Sequence, residues 1–445
     1  MSFIADKQTL DDLNIPGRYN SKSIYRIFDS VITAGGRKIL DQMFQEPLTD
    51  HNAINERSSI FRYFGRQSLQ LPFSADEFSV VENYLTSAPG SNIAATTWNV
   101  LSRKFLHAVV RDNAYALLET GAGKTIALLL AFRDFVYSLE QEGIYCPVAN
   151  DIQTVRNIFS SKQLQRITES YDGKKLSLQQ LIRYDHLLKK GCREEMKTLV
   201  DIIYQFDVYI AVSTVARTRN LCYAHALPRQ KNVMEVTGLF HPSVENAVAN
   251  DISFHAESNV TFLTGANMAG KSTFMKSFGI AVYLSHMGFP VAAESMEFSV
   301  KDGLFSTINV PDSLEHGYSH FYAEVLRVKK VAEQVSSSKD LVVIFDELFK
   351  GTNVKDAYDA TLAITSAFSE NSNCFFIIST HIIEVGEALK EKGGSFRFLY
   401  MPTIMEGNVP RYTYRLKSGI TNDRQGMVII ENEGLIALIR KKVTS

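Results

Sequence analysis

The spacing of apolar residues changes character part-way along the chain. From Ser21 to about Phe64 they recur at helical intervals, with Ile24, Ile27, Phe28 and Val31 followed by Ile39, Leu40, Met43 and Phe44, broken at Gly35-Gly36 and at Pro47. Between Trp98 and about Gln205 the period stays helical: Leu101, Phe105, Ala108 and Val109 form one stripe, and Leu178, Leu181, Ile182, Leu187 and Leu188 continue the pattern. Glycine and proline are sparse there, which predicts long helices. Near residue 230 short β-rich runs take over. Val260–Leu263, Leu341–Phe345 and Phe375–Ile378 alternate with amphipathic segments, the signature of a parallel sheet covered by helices. The pattern predicts an all-helical domain over 1–205 and an α/β domain over 206–445, with the boundary between roughly 205 and 235.

Length changes this picture little, since 445 residues with 45% hydrophobic content suit two or three domains. A net charge of -1 supplies no global basic field, so any grip on nucleic acid must come from a local patch. The cysteines Cys146, Cys192, Cys222 and Cys374 are far apart, with no CxxC pair; this argues against zinc or a disulfide framework and fits a reducing cytosol. The first residues lack the basic start and apolar run of a secretory signal. The longest apolar stretch of the first half, Ile126–Phe132, is cut by Arg133 and Asp134, so a cytoplasmic protein without a membrane segment is expected.

The strand beginning at Val260 runs into Gly265-Ala266-Asn267-Met268-Ala269-Gly270-Lys271-Ser272-Thr273 and then into a helical run, Phe274–Ser285. A phosphate-binding loop demands that context. Its glycines let backbone N–H groups curl around phosphate oxygens, the helix N-terminus adds its dipole, Lys271 neutralises the β and γ oxygens, and Ser272 ligates Mg²⁺. An earlier Gly121-Ala122-Gly123-Lys124-Thr125 has the same ending but no leading glycine and no preceding strand; it reads as a turn opening a helix.

Asp346 and Glu347 follow five consecutive apolar residues, at the strand end where ligands of open α/β sheets sit. Asp346 suits Mg²⁺ through water, and Glu347 suits polarising the attacking water. The alternative is an acidic turn capping the next helix. A third strand ends in Ser379-Thr380-His381. Alone, a histidine there is as readily structural, but its place at the same sheet edge favours a γ-phosphate sensor.

These motifs resemble the MutS family of mismatch-repair ATPases, whose loop usually reads GPNMGGKST where this chain has GANMAGKST. The Asn267-Met268 pair is a narrower signature than the generic loop. In order along the chain, Ser319-His320-Phe321-Tyr322-Ala323-Glu324-Val325 falls where the family has STFMxEM, Asp346-Glu347-x3-Gly351-Thr352 where it has DExGxGT, and Ser379-Thr380-His381 where it has its ATH or STH switch. Upstream, Thr33-x2-Gly36-Arg37-x2-Leu40 and Pro47-Leu48-x-Asp50-x3-Ile54-x2-Arg57 resemble the start of the family's helical core, a lever region. His241-Pro242 with Asn250-Asp251 resembles the approach to its P-loop, and Gly419 with Gly426 resembles its C-terminal strands.

The resemblance implies a Mg²⁺-dependent ATPase that works as a homodimer through its ATPase domains, with Ser319 reaching the partner's γ-phosphate in trans; a helix N-cap is the alternative for that serine. It also implies work on DNA, double-stranded or branched, alongside other repair proteins. Ala266 and Ala269 replace proline and glycine and are small enough for phosphate to approach. The core-like segment begins so early that the expectation is a short form without the mismatch-reading and connector domains; Phe44-Gln45-Glu46 spells the family's reader but lies in a helical pattern. DNA contact would then fall on Lys162, Arg166, Lys174, Lys175, Arg183, Lys189, Lys190, Arg193 and Lys197, a run that could equally be a solvated helix face. An ATP-switched scaffold that binds proteins and ignores DNA is the competing function.

Overall fold

The computed structural model describes residues 2–17, 20, 22–66, 68–140, 145–308, 320–406, 409–421 and 434–441. The chain divides into two compact units, one made of residues 1–27, 44–58 and 216–445, the other of 28–43 and 59–215. A single cut at 205/206 does not separate them. The helix Arg193–Thr218 runs unbroken across that point, because Leu199, Ile203, Phe206 and Val212 keep an apolar face at helical period. The early segments 1–27 and 44–58 belong with the α/β unit, a long-range association that local periodicity cannot reveal.

The α/β unit is built on a six-stranded sheet. Its order is Lys417–Ser418, Phe396–Met401, Val260–Gly265, Phe375–Ser379, Leu341–Phe345 and Gly303–Thr307, parallel throughout except for the antiparallel first edge strand. Every residue of Val260–Gly265, Leu341–Phe345, Phe375–Ser379 and Gly303–Thr307 is buried, as expected of strands covered on both faces. On one face Phe368, from the helix Val354–Ser369, stacks on Phe376 with ring centroids 4.9 Å apart. The helix Lys271–His286 lies close against Ile344. A Cβ at Gly279 would sit 3.1 Å from that side chain and 2.7 Å from Leu13, so only glycine permits the approach. A second, mixed sheet orders His225–Leu227, Ser295–Ser299, Met234–Leu239 and Asn250–Phe254.

The N-terminus straps the edge of the large sheet. Ile4 bridges Gly303, Thr9 Oγ1 accepts the Ser306 amide at 3.0 Å, and the Asp12 carboxylate accepts Ser306 Oγ at 2.8 Å and the Ile308 amide at 2.9 Å. The strap supplies acceptors to an edge that would otherwise present unpaired amides.

Deep in this unit His286 donates Nδ1–H to the Val282 carbonyl at 2.8 Å and accepts the Lys301 amide on Nε2 at 3.0 Å. Burial pushes its pKa down to about 4, against an ordinary value near 6.5. Because the folded state holds the ring neutral, its contribution is complete above pH 6.5 and is lost as pH falls toward 4. Between pH 7 and 5 the parent is expected to lose about 2 kcal/mol more stability than His286→Gln, measured by denaturant titration. Equal losses would show that His286 does not govern this window.

The second unit is all helical among its described residues. Its helices Ala114–Leu139 and Arg193–Thr218 are long and apolar enough to cross a membrane by length and composition, but 50% and 61% of their most apolar windows are buried inside the protein. The shorter Ile126–Phe132 stretch understated the first because its apolar residues continue past Arg133 on one face, through Val136 and Leu139. The Gly121–Thr125 segment lies inside this helix and does not open it. A Cβ at Gly121 would come within 2.8 Å of the Tyr84 ring, so the glycine serves helix packing, and Thr125 Oγ1 bonds back to the Gly121 carbonyl at 2.7 Å.

Candidate nucleotide site

The candidate residues converge where three parallel strands end side by side. After Val260–Gly265 the chain turns through Gly265 at φ 148°, Met268 at 66° and Gly270 at 103°, and enters the helix at Lys271. Glycine accepts such angles freely, whereas Met268 adopts the left-handed region at a cost while its side chain stands 76% exposed. The turn leaves amides of the loop and of the first helical turn directed at one point, a cradle for anionic oxygens. Lys271 is buried and its Nζ donates to the Gly265 carbonyl at 2.9 Å and the Ala266 carbonyl at 3.2 Å, folding the amine into the loop. Burial lowers its pKa, opposed by the nearby Asp346 and Glu347 carboxylates.

Asp346 has both carboxylate oxygens engaged by hydroxyls: Ser272 Oγ donates to Oδ2 and Ser379 Oγ to Oδ1, each at 2.5 Å. These bonds join the P-loop helix to the ends of the two neighbouring strands. A hydroxyl beside a carboxylate is the hard-oxygen donor set that suits Mg²⁺, an ion held by few protein ligands together with water and phosphate. No group of three or more His, Cys, Asp or Glu able to hold a metal occurs among the described residues, in keeping with that sparse ligation.

Glu347 sits in a left-handed turn at φ 57°, followed by Phe349 at 61°. Its amide donates to the Ser379 carbonyl at 3.1 Å, and its Oε1 lies 2.6 Å from His381 Nε2. The contact with His381 holds the Glu347 carboxyl below its ordinary value against the effect of burial, with help from Lys350 and Lys271. Two non-glycine residues in this region of backbone space mark a strained turn, of the kind that persists where the surroundings over-determine it. Gly351 closes the turn: its amide approaches Glu324 Oε2 at 3.4 Å, and a Cβ there would meet the Phe321 amide nitrogen at 2.7 Å. The start of the helix His320–Ser336 is thereby held beside the Glu347 turn. Ser319 and Gly426 lie outside the described residues.

A cleft of about 530 Å³ opens beside the loop, lined by Ala266–Met268 and Gly270–Phe274 on one side and by Phe240, His241 and Val244 on the other. Burial and the Lys276 ammonium lower the pKa of His241. Tyr414 closes the rim over Gly270. Asn250 fixes that segment, donating to the Tyr414 carbonyl at 2.9 Å and accepting the Leu416 amide at 2.7 Å.

Residues 261–443 match the family profile described as MutS domain V. The chain belongs to the MutS family. Among curated proteins it is similar to the DNA mismatch repair protein MutS of Streptococcus agalactiae, 21% identical over 97% of this chain and 60% of that protein. It is also similar to the MutS of Fusobacterium nucleatum, 30% identical over 48% of this chain and 25% of that protein. In Drosophila melanogaster the similar protein is DNA mismatch repair protein spellchecker 1, 25% identical over 54% of this chain and 27% of that protein. The chain thus matches well under two thirds of the length of each of these relatives.

The site also contains groups that the MutS-like motifs did not single out. Ser379 spells the switch motif, yet its hydroxyl engages Asp346 rather than waiting on phosphate. Arg327 is buried behind the site, donating to Thr307 Oγ1 at 3.1 Å and to the Ser306 carbonyl at 2.6 Å and pairing with Asp6. Burial pushes the Asp6 carboxyl up, but hydrogen bonds from Arg327 and Lys330 outweigh it and hold the group well below the ordinary carboxylate range. Since the Thr307 carbonyl accepts the Asp346 amide at 2.9 Å, this network braces the strand edge beside the site. Asp6 and Arg327 are 321 positions apart, beyond any motif.

Proposed function

We propose that this chain is a MutS-type ATPase that couples ATP binding and hydrolysis to a change of state of a dimer on DNA. The observation that carries the reading is the meeting of Lys271, Ser272, Asp346, Glu347 and His381 at one sheet edge below a glycine-turned loop. In this reading Gly265, Ala266, Asn267, Met268, Ala269, Gly270 and Thr273 wrap the phosphates with backbone amides, and Lys271 swings from its carbonyl partners to the β and γ oxygens. Ser272 and Asp346 would hold Mg²⁺, which supplies neutralisation of phosphate charge when bound. Glu347, kept ionised, orients and deprotonates the attacking water, and His381 holds that carboxylate in place and reaches toward the γ-phosphate. Phe240, the uncharged His241 ring and Tyr414 offer a largely apolar wall for the base. Ser319, from a second subunit, completes the site in trans, and the all-helical unit acts as the lever.

One observation favours the competing reading of an ATP-switched protein scaffold in the cytoplasm. Of the basic residues in the middle region, Lys189 is buried, paired with Asp185 at 2.8 Å and set over the Tyr84 ring; Lys175 pairs with Glu119 at 3.0 Å and Lys174 with Asp172 at 3.3 Å. Gel shifts with homoduplex, mismatched and branched DNA, at low salt and with and without ATP, separate the two. Binding that weakens steeply with added salt is expected for the DNA reading. Absence of binding to every duplex sinks it and leaves the scaffold.

A further inference from the structure

The stripe of Leu101, Phe105 and Val109 that helical periodicity would assign to a core faces solvent. The helix Ile93–Val110 is turned inside out: it buries Thr96 and Val100 against its own unit, with Thr96 Oγ1 3.3 Å from His186 Nδ1. On the opposite side Trp98, Leu101, Phe105 and Val109 fall within about 80° of one another at 100° per residue, and they are 75%, 43%, 67% and 63% exposed. Leu106 and Val110 widen the band, and Leu117 on the next helix extends it. Aromatic and aliphatic side chains left this bare present several hundred Å² of contiguous apolar surface, the scale of one partner's share of a specific interface.

Charge decides the occupant. From Asn83 to Arg111 there is no Asp or Glu, while Arg103, Lys104 and Arg111 flank the band. Two copies pairing through it would bring like charges together. A nucleic acid would need its cations on the contact face, yet the face is hydrocarbon and Lys104 leans over the Tyr115 ring, 6.0 Å from its centroid. An anionic membrane surface is served by larger clusters of four to eight cations. We propose that this helix is the docking face for an acidic amphipathic helix of another protein, its apolar residues at every third and fourth position against Trp98, Leu101, Phe105 and Val109, and its carboxylates against Arg103, Lys104 and Arg111. The inference is independent of the nucleotide site.

Trp98 is the one tryptophan of the chain, so its fluorescence reports on this surface alone. The full-length protein is titrated with a synthetic helix of glutamate and leucine, and separately with the same helix carrying lysine for glutamate, with a DNA duplex, and with phosphatidylserine vesicles. The expected result is a saturable blue shift with the acidic helix at an affinity at least tenfold above that for the basic one. Phe105→Ser, which leaves Trp98 in place, should weaken it at least tenfold with ATP binding unchanged. Equal response to both helices, a stronger response to duplex or vesicles, a blue shift on concentrating the protein alone, or indifference to Phe105→Ser would each overturn the proposal.

Discussion

Glu347→Gln is expected to cut steady-state ATP turnover by about 10²–10⁴-fold while nucleotide affinity stays within a few-fold of the parent. The side chain keeps its shape and its contact with His381, and the turn is pinned through the Glu347 amide to Ser379, so the substitution removes basicity and little else. A site that binds ATP without consuming it should accumulate the ATP-bound state. If that state is a dimer, light scattering of the variant with Mg²⁺-ATP gives twice the protomer mass, and the same sample without nucleotide does not. Turnover within tenfold of the parent would remove Glu347 from the role of base. A monomer with ATP bound would count against a trans contribution from Ser319.

Lys271→Ala acts on the other side of the phosphate. The amine is the cation nearest the loop, buried and linked to the Gly265 and Ala266 carbonyls, and its loss withdraws one positive charge from oxygens that carry most of the ligand's charge. Removing a single preorganised group of this kind costs about 10²–10³-fold in rate, roughly 2.7–4 kcal/mol. Calorimetric titration with Mg²⁺-ATP should show affinity reduced by at least tenfold as well, with the melting temperature of the ligand-free protein little changed. An unaltered titration together with unaltered turnover would mean that phosphate binds elsewhere. Where Glu347→Gln separates binding from chemistry, Lys271→Ala weakens both, and the pair distinguishes a wrong base from a wrong site.

The parts legible in sequence were those whose cause is local. Leu341–Phe345 reads as a buried strand because five apolar residues in a row suit nothing else of that length, and the carboxylates behind it fall at the sheet edge as a consequence. The loop reads because its glycines answer a backbone need confined to six residues. The left-handed Glu347 and Phe349 carry no such mark, since neither residue type announces a positive φ and the strain is imposed by Ser379 and Gly351 from other elements. Helical periodicity located an apolar stripe at Leu101–Val109 but not its direction, because period records that one face is apolar and says nothing about what lies against it. Lys189 illustrates the converse: in a run of cations it looks like a surface residue, and only a one-turn π-helical segment, Leu187–Gly191, joined to Asp185 and Tyr84, makes it an interior one.

The strap that closes the sheet edge also bears on how this chain is made. The bond from the Ser306 amide to Thr9 spans 297 positions, so the first residues to leave a ribosome must wait for nearly the last strands of the sheet before they find their acceptors and donors. Meanwhile residues 59–215 emerge as one continuous helical unit with its interior already complete. Synthesis therefore runs in the opposite sense to assembly for the ATPase half: its opening segment is the oldest part of the chain and among the last to be fastened.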